Sequence, residues 1–173
     1  MNKNTNWSID NTHSEIAFKV RHMMISTVRG HFEDFQATAK TDGDDFTNAT
    51  VEFSAKTDSI NTKNKDRDTH LKSDDFFNAE KFPEMKFVSK SFEGDKLVGD
   101  LTIRDVTKEV TLDAELNGIA VDPYGQTKAG FEITGEINRK DFNLTWNAVT
   151  EAGSVVVSDK VKLAIDVQLV KQA

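Results

Sequence analysis

Val161-Lys162-Leu163-Ala164-Ile165-Asp166-Val167-Gln168-Leu169-Val170 decides the fold of this chain. Val161, Leu163, Ile165, Val167 and Leu169 occupy every second position. Successive side chains of a strand point to opposite faces, so this spacing gathers all five on one face and leaves Lys162, Asp166 and Gln168 on the other. A helix with the same sequence would spread them around its circumference. The stretch therefore predicts a β-strand that locks the C-terminal end of the chain into a sheet, with one face on a core.

The same period recurs along the chain. Ile16, Phe18 and Val20 alternate with Glu15, Lys19 and Arg21, and Val51, Phe53 and Ala55 with Glu52, Ser54 and Lys56. Val110, Leu112, Ala114 and Leu116 lie between Glu109, Thr111, Asp113 and Glu115, and Phe131, Ile133 and Ile137 between Glu132, Thr134 and Glu136. Further strands are expected at 31–41, 85–92 and 96–104. Asp42-Gly43-Asp44, Glu93-Gly94-Asp95 and Asp122-Pro123-Tyr124-Gly125 supply turns. About eight antiparallel strands with one polar face call for a sandwich or a closed barrel rather than a parallel sheet. One segment breaks the period: residues 61–78 lack alternation and predict a short helical insert near 62–78, with Asn61 or Thr62 as its N-cap and a second turn begun at Ser73.

Composition narrows the classes of function. The chain has 173 residues, 37% hydrophobic and 29% charged, which suits one domain spanning 1–173 with a single covered core. The 22 basic and 29 acidic residues give a net charge of −7, so the overall field repels nucleic acid and anionic surfaces. Having no cysteine, the chain can form no disulfide, thiolate metal site or cysteine nucleophile. No stretch approaches the roughly 20 apolar residues that span a bilayer, so stable membrane insertion is not expected. The N-terminus, Met1 to Trp7, has no apolar leader core. As written the chain reads as cytoplasmic; one trimmed of a native signal would be periplasmic or secreted.

The aromatic content is lopsided, with 12 Phe against one Tyr and two Trp, and implies a greasy interior without hydroxyls to orient a polar substrate. An eight-stranded barrel is either filled by side chains or wide enough for one ligand. In the second case the inward positions Phe18, Val20, Phe53, Leu101, Ile103, Phe131 and Ile133, together with Trp146, would form the walls of a tunnel. Sites of other kinds find little support. His13, His22 and His31 lie nine residues apart, and with His70 match no compact metal-ligand spacing, so no metal and no cofactor is expected. His13-Ser14 lacks a nucleophile elbow and reads as a hydrogen-bonded pair at a strand start. Arg67 between Asp66 and Asp68 reads as a salt-bridged helix cap. No catalytic residue stands out, although His22 or His70 could serve as an acid–base group if the protein modified a bound lipid.

Several motifs resemble those of the YceI-like family, a bacterial group. They are Asp58-Ser59-Ile60-Asn61-Thr62, then Arg67-Asp68-Thr69-His70-Leu71-Lys72-Ser73-Asp74-Asp75-Phe76-Phe77, then Phe82-Pro83. Trp7-Ser8-Ile9-Asp10, His13-Ser14, Val28-Arg29-Gly30-His31-Phe32, Gly99-Asp100-Leu101-Thr102-Ile103 and Asn138-Arg139-Lys140-Asp141-Phe142 extend the likeness over nearly the whole chain. The resemblance implies an all-β, lipocalin-like antiparallel barrel whose hydrophobic tunnel holds a polyisoprenoid, isoprenoid quinone or other long-chain lipid, without catalysis, in sequestration or transport and often as a homodimer. It also makes Phe76, Phe77 and Phe82 candidates to line or close the tunnel. The chain departs from the family pattern at Asn143 and at Arg104-Asp105, where relatives tend to carry Gly. A stress-related scaffold with a packed barrel and a lipid-modifying enzyme remain the alternatives.

Overall fold

A computed structural model describes residues 4–23, 25–147 and 157–172; Met1, Asn2 and Lys3, read above for a leader, lie outside these. The strands are β1 (Thr5–Ile9), β2 (Glu15–His22), β3 (Ser26–Phe32), β4 (Phe35–Asp42), β5 (Asp45–Lys56), β6 (Ile60–Asn61), β7 (Glu84–Glu93), β8 (Lys96–Ile103), β9 (Val106–Val121), β10 (Thr127–Asn138) and β11 (Val157–Lys171). Among the described residues there is one α-helix, α1 (Lys65–Lys72). Every pairing is antiparallel, and β1, β4, β5, β7, β8, β9, β10 and β11 close a ring of eight strands through the β1–β11 contact. A closed ring removes the unpaired edges that an open sheet would expose.

The ring is whole only at the Trp7 end. Trp7 pairs with Ala39 on one side and Lys171 on the other, and its indole Nε1 donates to Thr41 Oγ1 at 2.8 Å. Farther along β11, β2 takes over from β1, and β3 pairs with β2 and then with the short β6 rather than with β5. The barrel is thus split between β3 and β5, and the insert that follows β6 lies over the split. The 31–41 segment, expected as one strand, breaks at Glu33-Asp34 into β3 and β4. This break lets the chain leave the β2 side and join the ring beside β1. A matching break separates β1 from β2, where the Asp10 carboxylate accepts from the Thr12 backbone and hydroxyl, from the His13 ring at 2.9 Å and from Lys128 Nζ at 3.0 Å. These bonds, with the Thr12 hydroxyl foremost, hold the Asp10 carboxyl well below the usual carboxylate range. Ser14 Oγ accepts from Gln168 N at 3.0 Å and so fastens the break to β11, while His13 stays bonded to Asp10.

The helix starts later than the sequence suggests. Its N-cap is Asn64, whose side chain accepts from Arg67 N at 3.0 Å, and not Asn61 or Thr62. Asn61 is already committed to β6, while Thr62 is drawn into a different network. Asp68 Oδ1 accepts from both the amide and the hydroxyl of Thr62, and Arg67 donates to Thr62 Oγ1 at 2.8 Å and to Thr62 O at 2.7 Å. Arg67 therefore binds the β6–α1 connection by hydrogen bonds and does not form the salt-bridged cap that its acidic neighbours suggest.

Both departures from the family pattern fall on left-handed backbone. Asn143 has φ 61° at the end of the turn Arg139–Phe142, and Arg104 has φ 55° between β8 and β9. Glycine adopts this region without steric cost, and Asn is the side chain that tolerates it best after Gly. Asn143→Gly is therefore expected to hold stability level or raise it by up to about 1 kcal/mol, read as a thermal midpoint shift of about 0 to +4 °C. A fall of several degrees would show that the Asn143 side chain matters in its own right. Arg104 stays in the same region because its guanidinium is anchored: Nη1 donates to the carbonyls of Asp74 and Phe76, each at 3.0 Å, and Nη2 to the Asp74 carboxylate.

Candidate functional site

The inward faces of the barrel do not fill its interior. A cavity of about 230 Å³, counted as space that the centre of a water molecule can occupy, runs inside the ring and is partly open to solvent. Its wall follows β11 from Val161 through Leu163, Ile165 and Val167 to Leu169. Eight residue steps at about 3.3 Å each make that wall about 26 Å long, so the cavity is elongated along the strand. The void has a source in the sequence: the inward positions of β4, β5 and β9 include Ala37, Ala39, Ala49 and Ala114, which reach only a short way toward the axis. A fully packed barrel does not describe this interior.

Chemically the wall is hydrocarbon and aromatic. Among the described residues, Thr38 and Arg139 are the only lining residues with a polar side chain. At one end the cavity stops against a stack of rings: Trp7 lies 5.0 Å from Phe46, Phe46 meets Phe131 edge-on at 5.0 Å, and Phe92 lies 6.2 Å from Phe131. At the other end the wall continues to Val20 and Val157, beside the turn between β2 and β3, and includes Leu71, Phe76 and Phe77 from the insert over the split. Phe77 meets Phe32 edge-on at 5.8 Å, which ties the insert to β3.

Most of the residues singled out from sequence come together on this wall. Phe18 and Val20 of β2, Phe53 of β5, Leu101 and Ile103 of β8, Phe131 and Ile133 of β10, and Phe76 and Phe77 of the insert all line the cavity. Two do not. Phe82 lies outside the wall, with Arg104 5.4 Å and Lys81 5.5 Å from its ring centre. Trp146 packs behind the lining, 4.8 Å from the His70 ring and 5.5 Å from Phe76. His70 itself is sandwiched edge-on between Phe76 and Trp146, with Nε2 2.8 Å from the Asp75 carboxylate. Neither His70 nor His22 is part of the wall. Among the described residues no group of three or more His, Asp or Glu is arranged to hold a metal ion.

Arg139 is the site residue that strand alternation did not bring forward. It is 3% exposed and borders the cavity, yet all its donors turn to backbone: Nε to Ser158 O at 2.9 Å, Nη1 to Leu144 O at 2.6 Å and Trp146 O at 2.7 Å, Nη2 to Val157 O at 3.2 Å. Burial pushes its guanidinium down from the ordinary value, opposed by Asp159 at 3.9 Å. One side chain thus joins the segment after β10 to the start of β11 and shapes the cavity end without presenting a free charge to it. The signal was present in the sequence, since the period Phe131, Ile133, Gly135, Ile137 continued by two residues lands on Arg139.

An open-ended apolar cavity in an eight-stranded antiparallel ring, with a helical insert over a split wall, is a specific combination. The YceI-like domain profile matches it over residues 7–169. The chain belongs to the YceI-like family. Among relatives of this YceI-like chain are two Staphylococcus aureus proteins named UPF0312 protein SAS2572 and UPF0312 protein MW2606. Each is 40% identical over 159 residues, covering 91% of this chain and 93% of the relative. The Campylobacter jejuni YCEI protein superposes with a TM-score of 0.77 at 36% identity, covering 88% of this chain and 90% of that one. Burkholderia cenocepacia BcnA superposes at 0.78 with 20% identity, covering 92% and 98%. A Saccharophagus degradans domain described as polyisoprenoid binding superposes at 0.74 with 13% identity, covering 96% and 98%. At such identities the last two speak for the YceI-like barrel and not for what it contains.

Proposed function

We propose that this protein binds one long-chain apolar lipid inside the barrel, without chemistry, and sequesters or carries it; an isoprenoid chain is the guest we favour. The observation that carries the reading is the wall itself, elongated and, among the described residues, apolar but for Thr38 and the internally bonded Arg139. Such a wall offers almost no hydrogen bonds with which to orient a polar substrate, so recognition rests on burial. Each Å² of hydrocarbon removed from water contributes about 25 cal/mol, and a guest lying along a narrow cavity buries most of its surface. The polyisoprenoid-binding description of the Saccharophagus degradans domain, which has the same fold, supports the isoprenoid choice. Selection would then depend on chain length and width, because one methylene changes affinity by only about 1–3 kcal/mol.

Native mass spectrometry of the protein purified from its host, followed by organic extraction, tests this directly. The expected result is one lipid per barrel, with an isoprenoid chain in the extract. A protein that is consistently empty and takes up no added polyprenyl lipid or fatty amphiphile would end the carrier reading.

A further inference from the structure

The outer face of β11, β2 and β3 carries a charge pattern that neither the fold nor the cavity requires. Strand register sets Lys162 directly opposite Lys19, and Lys19 directly opposite Arg29, so three cations stand in one row across three neighbouring strands. Alternation puts Arg21 and Lys160 on the same face, nearer the turn between β2 and β3. Like charges placed directly opposite in a sheet are destabilising, so the row is a cost to the fold. Among the described residues Lys19, Arg29 and Lys162 have no ion-pair partner, while Lys160 lies 3.3 Å from Glu136. The acidic groups nearby are few: Glu136 is also opposite Lys162, Asp159 is occupied by Lys140 at 3.3 Å, and Glu15 and Asp166 face each other at the far end of the pairing. In a chain of net charge −7, this is a segregated positive face.

Two further features share its location. Ile25, in the turn joining β2 to β3, is 76% exposed and held there by the hydrogen bond its backbone N–H donates to His22 O at 3.1 Å. On the reverse side of the same three strands, Val161, Val20 and Val28 stand opposite one another, and the first two border the cavity end that the aromatic stack does not close. Cations, an exposed aliphatic side chain and the cavity end away from the aromatic stack thus occupy one corner of the molecule.

We propose that this corner docks reversibly on a membrane leaflet rich in anionic phospholipid, with Ile25 at the headgroup boundary and the cavity end turned toward the acyl chains. The inference that an apolar guest passes between leaflet and barrel there rests on the carrier reading above; the docking itself does not. Phospholipid fits better than a nucleic acid, because a long polyanion would extend beyond the basic corner onto an acidic surface and would leave Ile25 without a role. Each basic side chain near an anionic surface strengthens binding by about fivefold, so one polybasic row with one apolar contact gives weak, salt-sensitive attachment rather than anchoring.

Sedimentation with vesicles of phosphatidylglycerol and phosphatidylcholine in equal parts, against phosphatidylcholine alone, tests the proposal on the full-length protein. The expected result is binding to the anionic vesicles only, weakened by high salt. The Lys19→Glu/Arg29→Glu/Lys162→Glu variant should lose about a hundredfold in affinity. Lys86→Glu, on the outer face of β7 four strands along the ring from β11, should bind as the wild type does. Wild-type protein that ignores charged vesicles, or a triple variant that binds as well as wild type, would overturn the proposal, as would binding to duplex DNA or heparin in place of vesicles. Lipid content measured in the same samples separates the two readings. Docking by a protein that never carries lipid would sink the carrier reading alone, and a lipid-loaded protein that never docks would sink the corner alone.

Discussion

Ile133→Trp is expected to cut the affinity for a long-chain lipid about a hundredfold while leaving the barrel folded. Ile133 lies on the cavity wall in the middle of β10, flanked on the inner face by Phe131 and Gly135. An indole there would project across the void and shorten the space that a guest can follow. If about 100 Å² of guest surface loses its contact, the loss is about 2.5 kcal/mol at 25 cal/mol per Å², close to a hundredfold in the dissociation constant. The protein can accommodate the ring because it enters empty space, whereas overpacking a filled core typically costs about 1–3 kcal/mol. Glu132→Trp, one residue away and facing outward, is the control and should leave affinity unchanged. The measurement is a titration with a polyprenyl lipid alongside a thermal melt. Equal affinities for the two variants would mean that the cavity is not where the lipid binds.

The largest effect on stability is expected from Arg139→Met, a loss of about 3–5 kcal/mol. Methionine matches the length and apolar character of the stem but leaves the carbonyls of Leu144, Trp146, Val157 and Ser158 without their donor. A buried acceptor deprived of its partner costs about 1–3 kcal/mol, and those able to recruit water recover part of it. In a chain of this length the loss lowers the thermal midpoint by roughly 10 °C. Arg139→Lys should recover little, since one ammonium cannot meet four carbonyls that a planar guanidinium reaches together. A midpoint within about 2 °C of wild type for Arg139→Met would show that the carbonyls find other donors.

Much of the barrel was legible in the sequence because period-2 alternation is a local property. Val161, Leu163, Ile165, Val167 and Leu169 share one inward face, as their spacing predicts, and that face lines the cavity. Direction was less legible where no period exists. Phe82 and Trp146 sit in irregular segments, and only the tertiary arrangement turns them away from the wall toward Arg104 and His70. The cap at Asn64 depended on which of three neighbouring polar residues the rest of the fold left free, and β6 had already claimed Asn61. The cavity depends on an aggregate of small inward residues such as Ala39 and Ala49, each unremarkable alone. The cationic row was the least legible feature, since Lys19, Arg29 and Lys162 are brought together by register between strands distant in sequence, while the net charge of the chain points the other way.

The closing strand sets an order of events during synthesis. β11 follows the other barrel strands in chain order, yet it pairs with β10, β1 and β2. Until its residues have left the ribosome, β1, β2 and β10 each present an unpaired edge, and the inner face of a partial sheet is exposed to water instead of enclosing a space. These contacts join the first strands to the last, so they are formed late and at high loop-closure cost. A nascent chain stalled before Val157 is therefore a sticky open sheet with no enclosed cavity and every reason to associate with its neighbours. The enclosed cavity exists only once β11 has left the ribosome and paired, and a guest could enter it only after that.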